Sequence, residues 1–155
     1  VLEQVAAIFA DPSVDVCYGD LCYVDASDST RIVRFWRAGD YRFRRFLHGW
    51  MPPHPTVFVR RRVYEQFGLY RNDLGTAADY EFMVRVLVKH GVHATYIPKV
   101  MVHMRTGGLS NASWRARIAA NRMDRHAWRV NGLNPYPWTT LAKPLRKVGQ
   151  WWSRP

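Results

Sequence analysis

Cysteine is scarce: Cys17 and Cys22 are the only two in 155 residues. They stand five apart on a segment that reads as a strand, so their side chains point to opposite faces and no intrastrand bridge is expected. Two lone cysteines make no zinc site either. They read as small core residues in a reducing compartment. No run of about eighteen apolar residues occurs, so the sequence offers no transmembrane helix. Acid is in short supply as well, with 12 Asp and Glu against 23 Lys and Arg and a formal charge of +11. That balance suits nucleic acid, anionic lipid or anionic substrates. Zinc-finger spacing, an RNP pattern and helix-turn-helix spacing are all missing, so no specific nucleic-acid partner is expected. There is no internal repeat and no low-complexity segment.

What is present fits one domain, or one large piece of a domain. Seven Trp and eight Tyr supply material for a substantial core. Val1–Phe9 carries Leu2, Val5, Ala6 and Phe9 at helical spacing and closes at Asp11-Pro12. Val14–Val24 reads as a strand, with Arg31–Trp36 as its partner across a polar turn. Asp40 is placed to cap a short helix holding Phe43, Phe46 and Leu47. A proline-rich loop, Met51–Pro55, leads to a short strand at Thr56–Arg60 and a short helix at Arg62–Phe67 stopped by Gly68. A helix over Asp79–His90 is stopped by Gly91. Val92–Ile97 and Val100–Arg105 read as two strands separated by Pro98. Gly107-Gly108 then forms a flexible joint.

Thr76-Ala77-Ala78-Asp79-Tyr80-Glu81-Phe82-Met83-Val84-Arg85 places an acid where a loop turns into a strongly apolar helix. Asp79 can be an N-cap or first-turn residue, where the helix dipole favours its charged form. A carboxylate on such a rigid support also suits a general base. Simple capping is the alternative. Glu81, two residues on, points elsewhere on the helix and reads as a secondary or structural carboxylate.

The ordered set Tyr18-Gly19-Asp20-Leu21-Cys22-Tyr23-Val24-Asp25, Trp50-Met51-Pro52-Pro53-His54-Pro55-Thr56, Val59–Glu65, Phe67-Gly68-Leu69-Tyr70, Ala78-Asp79-Tyr80-Glu81, and His103-Met104-Arg105 with Ser110-Asn111 resembles the C-terminal half of family 2 glycosyltransferases. The resemblance runs from Val1 to about Val130. It implies an α/β fold, a partial GT-A (nucleotide-diphospho-sugar transferase-like) sheet with flanking helices. It implies an inverting, hexosyltransferase-like enzyme that moves a sugar from a nucleotide-sugar donor to a glycan or lipid-linked acceptor in surface polysaccharide synthesis. The family usually writes its base motif Glu-Asp; here Ala78 precedes Asp79. The family's N-terminal half carries an Asp-x-Asp-like metal motif, and no Asp-x-Asp occurs in this chain. The resemblance therefore implies a fragment that starts just after the donor site. The divalent metal (Mg or Mn) is expected for the intact enzyme, with none bound by this piece, which would be inactive alone.

On that reading Asp79 is the catalytic base. His54, held in Pro-Pro-His-Pro, is set to meet acceptor hydroxyls or a phosphate, or to serve as a turn histidine bonded to nearby backbone. Asp20 is a candidate for acceptor hydroxyls, and Trp50 for stacking on a sugar face, with core packing as its alternative. Arg105 suits a diphosphate. His103 is a candidate metal ligand, or a satisfied strand histidine.

Composition shifts beyond residue 109, where Asp124 is the sole acid among many Arg and Lys. A domain at 1–109 and a basic helical tail at 110–155 follow. Ser113–Val130 reads as a basic helix, with Asn111 in a glycosylation-like sequon that more economically caps it. Leu141–Trp152 reads as an amphipathic one, with Leu141, Leu145, Val148 and Trp152 on one face. Trp128, Trp138, Trp151 and Trp152 among the cations suit an anionic membrane surface bound through 137–155. The chain is then expected in the cytoplasm, peripheral at the inner face of the cell membrane. The rival class is a non-catalytic membrane- or nucleic-acid-binding basic module.

Overall fold

The strand β1 (Val16–Val24) is buried on both sides, with Val16, Cys17, Tyr18, Leu21, Cys22 and Val24 almost inaccessible. Alternate residues of a strand face opposite sides, so β1 divides two cores. Val16 and Tyr18 enter the larger one, with Phe46, Trp50, Val63, Tyr80 and Leu87. Cys17 enters the smaller, with Val5, Ile97 and Met101. In the computed structural model the described residues are 1–107, 114–140 and 142, without the side chains of 114–118.

β1 is the hub of a four-stranded mixed sheet. β2 (Ile32–Trp36) pairs antiparallel with Leu21–Val24, and β3 (Phe58–Val59) antiparallel with Val16 and Cys17. β4 (Ala94–Arg105) runs parallel to β1 along its whole length. Helix α1 (Leu2–Ile8) covers the smaller core through Val5. Helices α2 (Phe43–Leu47), α3 (Arg61–Phe67), α4 (Ala78–Met83) and α5 (Trp114–Val130) complete the order, with 3-10 turns at His54–Thr56 and Asn72–Ala77. After Met83 the helix continues as a π-helical turn, Val84–Lys89. The protein is thus mixed α/β, a four-stranded mixed sheet with flanking helices. Among the described residues no helix is long and apolar enough to cross a membrane.

The structure departs from the sequence reading at several points. Pro98 does not split β4: the register steps from Gly19↔Ile97 to Asp20↔Val100, and Pro98 and Lys99 sit in the resulting bulge. A bulge accommodates proline because no ladder donor is needed there. Gly19 is what lets the bulge close in, since a Cβ there would meet the Lys99 carbonyl at 2.8 Å and the Met101 sulfur at 2.3 Å. Asp40 lies two residues too early to cap α2, whose N-cap is Arg42 without a side-chain cap. Of the Arg60–Arg62 cluster, Arg60 donates to the carbonyls of Phe9, Asp11 and Val14, and Arg62 to Asp15 and the Pro12 carbonyl. Those two cations tie α1 to β1. The cysteines are both free and buried. Burial pushes the Cys17 thiol up to about 11 and raises that of Cys22, with Asp20 adding to the latter.

The division at residue 109 is not a division of the packed core. Ala127 and Trp128 of α5 belong to the larger core. The Trp128 indole donates to the Tyr80 hydroxyl at 2.9 Å, and Thr139 donates to the Leu47 carbonyl at 2.6 Å. Arg-rich composition hid this, because one face of α5 is basic and another is not. The Leu141–Trp152 stripe (Ala142 apart), Gly108, and the Ser110–Ser113 stretch lie outside the described residues.

Glu81 is buried against α5 and accepts hydrogen bonds from Arg85 Nε (2.9 Å), Arg85 Nη2 (3.0 Å) and Asn131 Nδ2 (2.9 Å). Arg85 also donates to the carbonyls of Phe67, Gly68 and Leu69. Gly68, at φ +88°, ends α3 there in a conformation that other residues rarely adopt. Glu81 is therefore the structural carboxylate its spacing suggests. Arg85→Ala leaves it buried without its cation, and we expect a loss of about 3–5 kcal/mol in urea unfolding. A loss under about 1 kcal/mol, the range of exposed pairs, would contradict this account.

Candidate functional site

The loop before β3 is stiff by composition, with Pro52, Pro53 and Pro55 restricting its backbone. It folds as a 3-10 turn, His54–Thr56, in which Thr56 N–H donates to the Pro53 carbonyl (2.8 Å) and Val57 N–H to that of His54 (3.0 Å). Thr56 is fully buried and clamps the turn onto the sheet. Its hydroxyl lies 2.9 Å from the Gly19 carbonyl and 2.8 Å from that of Pro53, and accepts from Gly19 N–H at 3.3 Å. The turn thus presents His54 outward from a fixed base.

Two further elements meet His54. Tyr70, in the loop after α3, places its hydroxyl 3.0 Å from His54 Nε2, with the rings edge to face at 5.8 Å. Asp79, in the first turn of α4, places Oδ2 4.0 Å from His54 Nδ1. Burial first, then the neighbouring Tyr64 and Asp79, pushes the Tyr70 phenol up, so it remains a neutral hydroxyl. In the tautomer whose Nε2 accepts from that hydroxyl, the imidazole proton sits on Nδ1, facing the carboxylate. Tyr70 itself leans on Phe82 at 4.6 Å, and Tyr64 stacks on Phe82 at 5.0 Å. An aromatic wall therefore backs the polar group.

Asp79 does not cap α4; the N-cap is Ala77, and no side chain caps it. Its Oδ1 takes the Tyr80 N–H at 2.7 Å. Oδ2 stays directed toward His54, and the side chain is 39 % exposed. The helix beneath it is deeply buried through Tyr80, Phe82 and Met83. An accessible carboxylate, an imidazole held by a neighbouring hydroxyl and a neutral phenol can together take up, hold or relay a proton from a bound hydroxyl.

The other expected site residues fall elsewhere. Asp20 is buried, and its Oδ1 accepts from Ala38 N–H (2.7 Å) and the Tyr96 hydroxyl (2.8 Å). The Tyr96 phenol is pushed up to about 12, by burial first and then by that bond. Asp20 lines a shallow, open depression of about 460 Å³ with Phe35, Arg37, Tyr96 and Lys99, which none of His54, Tyr70 and Asp79 borders. Trp50 is a core residue. It is packed by Tyr18, Tyr41 and Phe46 and donates to the Ala38 carbonyl at 2.9 Å, so its ring faces are not offered to a sugar. His103 and Arg105 are exposed on β4, opposite Cys22 and Val24. Among the described residues no hydrogen bond or ion pair joins either to the Asp79 group. Among the described residues no three His, Cys, Asp or Glu side chains gather where a metal ion could be held, and His103 stands outside any such group.

Tyr70 is the site residue to which the sequence assigned no role. Its only signal is its place in the Phe67-Gly68-Leu69-Tyr70 segment of the resemblance. No protein-family model matches the chain, and no curated protein matches it significantly.

Thr56→Val tests the clamp. It keeps the shape but leaves the Gly19 N–H without its partner, so we expect a loss of about 1–3 kcal/mol in urea unfolding. A neutral substitution would mean that the turn is held by its prolines alone.

Proposed function

We propose that this chain is the acceptor-side half of an inverting glycosyltransferase of GT-A type, with Asp79 as the general base. The observation that carries the reading is the half-exposed Asp79 carboxylate, seated on a buried helix with Oδ2 4.0 Å from an imidazole that Tyr70 holds. The ordered resemblance to family 2 enzymes supplies the reaction class.

In the proposed step an acceptor hydroxyl sits at Asp79 Oδ2. Its proton passes to the carboxylate as its oxygen forms a bond to the anomeric carbon of the nucleotide sugar. The bond from that carbon to the diphosphate oxygen breaks, and the nucleoside diphosphate leaves with the electron pair. A single displacement inverts the anomeric centre, so one base suffices and no covalent sugar–enzyme bond is needed. His54 Nδ1–H faces the same carboxylate and orients it, while Tyr70 fixes the imidazole. Arg105 remains the proposed diphosphate contact and Asp20 a proposed acceptor contact, each lying apart from the Asp79 group. The Mg or Mn ion that the resemblance implies would neutralise diphosphate charge in the intact enzyme, held by residues of its other half.

Asp79→Asn in the full-length protein removes the base and keeps the size. Transfer from a nucleotide sugar to its acceptor should fall about 10²–10⁴-fold, with donor affinity nearly unchanged. Turnover within a fewfold of wild type would remove Asp79 from this role. Tyr70→Phe should lower transfer less, because it loosens the imidazole without removing the base.

A further inference from the structure

Away from the Asp79 group, one part of the surface brings exposed aromatic rings and uncommitted arginines together. The segment 136–140 lies between α5 and α2. Arg125 of α5 donates to the Pro137 carbonyl at 2.6 Å and to the Thr140 hydroxyl at 3.2 Å. Thr139 fastens the other side to the Leu47 carbonyl at the end of α2. Held this way, Tyr136 and Trp138 stack on each other at 4.9 Å and 23°, yet remain 45 % and 50 % exposed. His48, next to α2, lies 6.4 Å from the Tyr136 ring. Phe43, one turn before Leu47 on the same side of α2, is 48 % exposed.

Cations frame these rings. Arg122, Arg125 and Arg129 follow one another at i, i+3 and i+7, so they form one stripe of α5. Arg122 and Arg129 are exposed, as are Arg42 and Arg44 at α2. Among the described residues these four make no hydrogen bond or ion pair, unlike Arg60, Arg62 and Arg85. Asp124, the one acid of α5, is well off the arginine stripe at about 100° per residue.

We propose that this face, Phe43, Tyr136 and Trp138 with Arg42, Arg44, Arg122 and Arg129, is a docking surface for an anionic lipid bilayer. Charge complementarity selects an anionic partner. Half-exposed Trp and Tyr, apolar in body and polar at the edge, belong at the headgroup level of a membrane. A single-stranded nucleic acid would attract the same cations, but it stacks its bases on ring faces along a groove. Here Tyr136 and Trp138 cover one face of each other. The surface is part of the folded core, so attachment does not need residues beyond 142. The inference is independent of the glycosyltransferase reading.

Vesicle flotation tests it, comparing phosphatidylglycerol–phosphatidylcholine vesicles with pure phosphatidylcholine. The protein should float with the anionic vesicles and much less with the neutral ones, and salt should weaken binding. Arg122→Gln with Arg129→Gln should reduce partitioning roughly 25-fold, at about fivefold per arginine. Tyr136→Ser with Trp138→Ser should reduce it at least about tenfold. Both pairs are exposed, and unchanged thermal melts would show that the fold survives. Trp151→Ser with Trp152→Ser should leave binding within a fewfold of wild type. Loss of binding in that last variant alone would move attachment to the C-terminal residues and overturn the proposal. So would wild-type protein that ignores anionic vesicles, or that prefers an oligonucleotide to them.

Discussion

A buried carboxyl group must be met by donors, and among the described residues that of Glu81 is the most deeply buried, at 1 % exposed. Its partners come from two directions: Arg85 from the next turn of its own helix, and Asn131 from the end of α5. Arg85 extends the connection, because the same guanidinium holds the carbonyls at 67–69. Tyr70 follows directly on that anchored stretch, and Asp79 precedes Glu81 by two residues. The buried charge therefore sets how α4 is rotated against α5 and where the loop carrying Tyr70 begins. His54 arrives independently, from a turn clamped to β1 by Thr56. The candidate site is the meeting of these two supports.

The same economy governs the aromatic residues. Trp50, Tyr18 and Trp128 direct their polar edges inward to Ala38, Gly39 and Tyr80. Each fills volume and satisfies a hydrogen bond at once, as buried Tyr and Trp side chains generally must. Tyr136 and Trp138 are treated differently, leaving half their surface to solvent. The large rings of the described residues thus include an inner and an outer population. Only the outer one is available to a partner.

How much of this was legible depended on range. α1, the β1–β2 hairpin and the glycine stop after α3 follow from spacing and turn chemistry within a few residues. Asp79 was visible as an acid at a helix start, and His54 as an imidazole in a proline-bound turn. Their approach was not, because nothing local links residue 54 to residue 79. Tyr70 stood in a segment of the resemblance, but nothing local links it to His54 either. Trp50 carried two readings, sugar stacking and core packing, because a tryptophan beside prolines looks presentable until its distant neighbours are known; here they put it in the core. The arginines of α5 suggested a separate tail, while Ala127, Trp128 and Asn131 on its other side were already committed to the core. Pro98 was read as a break because sequence shows the lost donor and not the bulge that makes the donor unnecessary.

The π-helical turn at Val84–Lys89 has a bearing on which changes of length this protein can absorb. There the His90 N–H reaches back five residues, to the Arg85 carbonyl, instead of four. One additional residue is thereby housed within a single turn. Its removal would let the chain wind as an ordinary helix, but everything upstream would turn by about 100° relative to everything downstream. Val86, Leu87 and Val88, buried within the turn, and Asp79 and Glu81, placed before it, could then no longer both keep their bearings. Within 84–89, Arg85 is committed to Glu81, and the buried Val84, Val86, Leu87 and Val88 accept only apolar replacements of similar volume. The number of residues between Glu81 and His90 is not free to vary, and in this stretch an indel is a harsher change than a volume-conserving apolar substitution.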